Sequence, residues 1–95
     1  MADREPFDPD EIASAIPDGW AYDENEEEIV RTYEFDNYLD GVAFATEVGE
    51  LAEAEFHHPT IEIRYKEVEV RYTDHEAGGV SERDAEMAEL TDERY

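Results

Sequence analysis

Residues 61 to 72 read IEIRYKEVEVRY, and this stretch constrains the fold more than any other. Ile61, Ile63 and Tyr65 alternate with Glu62, Arg64 and Lys66; Val68, Val70 and Tyr72 then alternate with Glu69 and Arg71, and the parity changes at Lys66 and Glu67. Period-two alternation sends successive side chains to opposite faces, so each half reads as a strand with one buried face, and the parity change marks an antiparallel hairpin. The rest of the chain must therefore supply a cover for that face.

An earlier stretch, WAYDENEEEIVRTYEF, repeats the pattern. Trp20 and Tyr22 share one face, Ile29, Arg31, Tyr33 and Phe35 follow in period two, and the polar run between them is the turn of a first hairpin. Helix signals surround both hairpins. Asp8 caps a short first helix with Pro9 at its first position and Glu11 reaching back, and Pro17 and Gly19 stop it. Asp36 is read as the cap of the main helix, whose stripe is Tyr38, Val42, Ala45, Val48, Ala52 and Phe56. Val80, Ser81, Asp84 and Ala85 form a staple and capping box that open a last helix with Met87, Ala88, Leu90 and Thr91 inward. The expectation is an α+β fold: a four-stranded antiparallel sheet with three helices on one face, in the order α-β-β-α-β-β-α, as a single domain over residues 1–95.

Charge decides the setting. The chain carries 29 acidic and 7 basic residues, a formal net charge of -22, while 40% of it is hydrophobic, enough apolar surface to fold. Such a charge repels nucleic acid and anionic membranes, and it opposes compaction unless salt screens it; at 1 M salt the Debye length is about 3 Å. A halophilic cytoplasm fits this balance. There is no cysteine, the first residues have no secretion-signal pattern, and the longest apolar run, VAFA, is too short to span a bilayer, so a soluble cytoplasmic protein is expected. Residues 61–72 are the exception in charge, with three acids (Glu62, Glu67, Glu69) against three bases (Arg64, Lys66, Arg71), so the sheet is locally neutral and suited to a ligand or partner.

The scarce imidazoles are grouped. His57 and His58 stand together before Pro59, which disfavours helix for His58 and places both rings at a helix-to-strand junction; His75 follows the last strand, before Gly78 and Gly79. Adjacent histidines diverge and no H-x-H or H-x-x-x-H spacing occurs, which argues against a metal site. With no cysteine, no G-x-S-x-G elbow and Ser81 explained as a cap, nucleophilic catalysis is also disfavoured. Imidazoles around a cleft suit proton transfer near neutral pH.

Glu53, three residues, His57-His58-Pro59, five residues, Tyr65, nine residues, His75, eight residues, Asp84: this pattern resembles the signature of the pterin-4a-carbinolamine dehydratases. The segments DGW, YEFDNYLDGVAFATEVGELAEAEFHHP and TDHEAGGVSERD extend the resemblance over most of the chain, as to a halophilic, archaeal member. Ile61 stands where many members have tryptophan, and Asp74 where a hydroxyl residue often precedes the third histidine. The resemblance implies dehydration of a 4a-hydroxytetrahydropterin to quinonoid dihydropterin without metal or organic cofactor. It implies His57 and His75 as the acid-base pair, His58 as the residue that holds the hydroxyl, and Asp84 as an orienting carboxylate, a role that competes with its place in the Ser81 capping box. Glu53, which on the same helix could hydrogen-bond His57, is expected with Pro59, Ile61, Tyr65, Asp74, Glu76 and Ala77 to form the substrate site. Dimers that join sheets edge to edge, and pairs of such dimers packed through helices, follow from the same resemblance. Two alternatives stay open: a non-catalytic pterin-binding or dimerisation module, and a dehydratase of a pterin related to the molybdenum cofactor.

Overall fold

In the computed structural model, which describes residues 5–95, the two hairpins join into one antiparallel sheet of order β1-β2-β4-β3. The elements are α1 (Pro9–Ala15), β1 (Ala21–Asp23), β2 (Glu28–Glu34), α2 (Tyr38–Glu55), β3 (Thr60–Ile63), β4 (Glu67–Tyr72) and α3 (Glu82–Asp92), in the order read from the sequence. The join is the pairing of β2 with β4, in which Ile29 faces Tyr72, Arg31 faces Val70 and Tyr33 faces Val68. Directly paired residues share a face. Ile29, Tyr33, Val68, Val70 and Tyr72 consequently form one apolar floor, and Phe44, Val48 and Leu51 of α2 with Met87 and Ala88 of α3 cover it. Gly41 lets α2 come close, since a Cβ there would meet Val68 Cγ2 at 3.2 Å and the Phe35 ring at 3.5 Å.

Arg31 also points to this face, a charge in core parity that needs a partner. Asp92 supplies it from the end of α3: its Oδ1 accepts Arg31 Nη1 at 3.0 Å, Trp20 Nε1 at 3.0 Å and the Tyr33 hydroxyl at 2.5 Å. One carboxylate thus ties α3 to the first hairpin. The opposite face is polar, with Arg71 bound to Glu69 and Asp23, and Arg64 to Glu62 and Glu69. These pairs account for the local neutrality of the second hairpin.

Two boundaries differ from the sequence expectation. Asn37, not Asp36, caps α2, accepting the Asp40 N–H at 2.9 Å while its Nδ2 donates to Asp40 Oδ2 at 3.0 Å. The chain before it is still held by strand pairing, because Phe35 N–H donates to Lys66 O. The helix stripe shifts accordingly: Phe44 and Leu51 are buried, while Tyr38 and Phe56 are exposed. Tyr65, expected in β3, lies in the hairpin turn closed by Arg64 N–H on Glu67 O. Among the described residues no helix is long and apolar enough to cross a membrane.

Candidate active site

The end of α2 decides where the histidines go. Phe56 takes a left-handed conformation, φ 54° and ψ 39°, with its N–H on Ala52 O. The turn swings His57 inward, toward β4 and α3, and returns His58 over the last turns of α2. The His57 side chain is 11% exposed, its ring nearly parallel to that of Tyr72, at 9° with centroids 6.0 Å apart. Behind it lies Asp84, fully buried at the start of α3.

Asp84 divides its two oxygens. Oδ1 meets His57 Nε2 at 2.6 Å, and Oδ2 accepts the Ser81 N–H at 2.9 Å, closing the capping box of α3. A carboxylate is an acceptor, so the proton is assigned to Nε2, and Nδ1 is the nitrogen left to take up or release a proton. The cap of α3 and the contact with His57 therefore belong to one side chain. Tyr72 is pinned as well. The Thr91 hydroxyl donates its one proton to Met87 O at 2.7 Å, so the Tyr72 hydroxyl donates to Thr91 Oγ1 at 2.7 Å. Burial pushes the Tyr72 phenol up to about 12, which keeps the wall behind His57 neutral.

Glu53 was expected on His57; it pairs instead with His58 Nε2 through Oε2, because the left-handed Phe56 has carried His57 away from the α2 surface. Both partners of that pair are exposed. His75 sits in the turn after β4, and Asp74 builds that turn: Oδ1 accepts the N–H groups of Glu76 at 3.1 Å and Ala77 at 3.2 Å, and Oδ2 accepts the Ser81 hydroxyl at 2.7 Å. The Asp74 carbonyl accepts from Gly78 and Gly79, with Gly78 at φ 87° where a side chain would be strained. Asp74 is buried, so it serves as an anchor for the loop that carries His75.

A cleft of about 250 Å³ lies between the α2 terminus and this turn, lined by Phe56, His57, His58, Thr73, Asp74, His75 and Glu76. The fold brings the three histidines, Asp74 and Glu76 to one cleft and Asp84 directly behind it. Pro59, Ile61, Tyr65 and Ala77 are not among the lining residues. Ile61 packs toward the core beside Val70, and Tyr65 lies in the turn beyond the far end of β3. Phe56 and Thr73 line the cleft without having been singled out by the sequence reading. Pro59, which forces the helix to end early, was the available signal that Phe56 falls outside the buried stripe. A hollow of about 370 Å³ at Glu34, Phe35, Asp36, Asp40 and Tyr95 is larger, but it contains no imidazole. Among the described residues no group of three or more His, Asp or Glu side chains is placed to hold a metal ion.

The chain is similar to known proteins over nearly its whole length. A relative from Halobacterium salinarum, provisionally named a pterin-4-alpha-carbinolamine dehydratase, is 58% identical over 94 residues, covering 99% of each chain. One from Natronomonas pharaonis with the same provisional name is 50% identical over 93 residues, covering 98% of this chain and 97% of its own. The crystal structure of a transcriptional coactivator/pterin dehydratase from Brucella melitensis superposes with a TM-score of 0.85 at 27% identity, over 95% of this chain and 98% of that one. The family described as pterin 4 alpha carbinolamine dehydratase matches residues 5–94, and the chain belongs to it.

Proposed function

We propose that the protein dehydrates a 4a-hydroxytetrahydropterin at the histidine cleft. The observation that carries this reading is the His57–Asp84 pair at 2.6 Å, which fixes one ring with a free Nδ1 in a cleft shared with two further imidazoles, in a chain of this family. Hydroxide leaves poorly, so one imidazolium gives a proton to the 4a oxygen as the N5 lone pair forms the C4a–N5 double bond. The C4a–O bond breaks and water departs. The second imidazole takes the N5 proton, giving the quinonoid dihydropterin, and solvent resets the two rings. No electron is gained or lost, which suits a site built from proton carriers alone.

His57 follows the end of α2 and His75 lies in the turn after β4, so two separate elements bring them to one cleft, and this supports them as the pair that serves one ring. His58, exposed and paired with Glu53, is the residue that holds the hydroxyl. Asp84 orients His57, and Asp74 positions His75 through its loop. The edge strand β3 presents exposed Ile63, and Tyr65 follows in the turn, so this neutral hairpin is where two copies would join sheets. The competing reading, a binding module without chemistry, gives no reason for a buried carboxylate to be held against a histidine. Turnover of a panel of 4a-hydroxypterins in molar potassium chloride tests the proposal. Accelerated loss of water is expected for at least one, and none for any member of the panel would refute it.

A further inference from the structure

Phe56 breaks two rules at once. It is a bulky residue in the left-handed region, at the helix-end position where glycine or asparagine is the low-strain choice. The residue is also 88% exposed, although the core of α2 lies a turn away. Neither cost is recovered in the fold, since the side chain is absent from the core cluster. The cleft supplies a reason: its other lining side chains are His57, His58, Thr73, Asp74, His75 and Glu76, all polar, so among the described residues Phe56 is the one apolar side chain that lines it.

We propose that Phe56 is a substrate-contacting specificity residue that stacks on the fused ring of the pterin and holds it between the histidine walls. This rests on the dehydratase reading. The amino-pyrimidinone part of the pterin is neutral and nearly flat even where C4a is tetrahedral, and it gains little from hydrogen-bonding groups that water also satisfies, whereas an aromatic face gives affinity that depends on that flat portion. The left-handed backbone is what aims the ring. A residue continuing α2 would lie on the helix surface, while the reversal at Phe56 sets its side chain beside the two histidines that follow.

Phe56→Asn and Phe56→Gly remove the ring while suiting the backbone, and Phe56→Tyr keeps it. Binding is read from the fluorescence of a 7,8-dihydropterin, which has the fused ring without the leaving hydroxyl, together with KM and kcat for the carbinolamine, thermal melts and light scattering. The expectation is that Asn and Gly weaken dihydropterin binding and raise KM roughly three- to ten-fold, the loss of one aromatic contact, with a larger effect on KM than on kcat. Melting temperatures should be unchanged or higher, and Tyr should bind as the wild type does. Wild-type affinity in the Asn and Gly variants would overturn the stacking role. So would a change of association state in those variants with binding unaltered, which would make Phe56 a contact between copies. If the wild-type protein binds no pterin at all, the dehydratase reading itself falls, an outcome distinct from both.

Discussion

Asp84 holds His57 with one oxygen, at 2.6 Å, and the first turn of α3 with the other, at 2.9 Å to the Ser81 amide. A side chain that joins the fold to the chemistry in this way can be separated by substitution. In Asp84→Asn the amide oxygen can still accept the Ser81 N–H, but the NH₂ then faces His57 Nε2 and demands the other tautomer, with the proton on Nδ1. Turnover should drop about 10²- to 10⁴-fold, as expected for a misassigned acid-base histidine, while the melting temperature changes little. Asp84→Ala loses the reach-back of the capping box too, costing about 0.5–2 kcal/mol, and should fall in both measurements. Equal turnover in wild type and Asp84→Asn would remove the orienting role.

Tyr72 offers the complementary case. Its hydroxyl belongs to the Thr91 and Met87 chain, and its ring is the surface beside His57. Tyr72→Phe should lower stability by about 1 kcal/mol for the lost buried hydrogen bond, a shift of roughly 4–8 °C, and leave kcat within a few-fold. A large loss of kcat would mean that the phenol takes part in proton transfer.

Much of this arrangement was legible in the sequence because it is locally encoded. The capping boxes of α1 and α3, the parity change at the β3–β4 turn and the helix break forced by Pro59 each depend on a few neighbouring residues. What escaped depends on choices that local chemistry leaves balanced. Asp36 and Asn37 are both good caps, and only the pairing of Phe35 with Lys66 decides for Asn37. Glu53 stands in helical register with His57, but the left-handed Phe56 hands its partner to His58. The junction of Asp92 with Trp20, Arg31 and Tyr33 spans the whole chain, and its sole local hint was a charged Arg31 in core parity.

The open face of the sheet should control acid stability. Hydrogen bonds from Arg71, and then Arg64, hold the Glu69 carboxyl below the ordinary glutamate value of 4.5. A depressed carboxyl adds stability above the unfolded value, and that stability is lost as pH falls through the folded one. Glu69→Gln should therefore melt lower than wild type at pH 7, and the two curves should converge as pH falls through the depressed folded value of Glu69. A difference that persists at low pH would assign the loss to packing instead.

Salt should act on the whole chain. With 29 acidic residues against 7 basic ones, folding crowds like charges, and the Debye length shrinks from about 10 Å at 0.1 M to about 3 Å at 1 M. The melting temperature should rise across that range of potassium chloride. A fall would contradict the halophilic reading of the charge.

The most direct test of the account is single-turnover dehydration of a 4a-hydroxytetrahydropterin, generated in place and followed by stopped-flow absorbance in molar potassium chloride, with wild type, His57→Ala, His75→Ala and the double variant. If the two rings act as acid and base on one substrate, each single variant should be slower by about 10²- to 10⁴-fold. The double variant should be little slower than the worse single, because groups that act as a unit are not additive. Melting temperatures close to wild type would assign these losses to chemistry. Wild-type rates in both single variants would contradict the account.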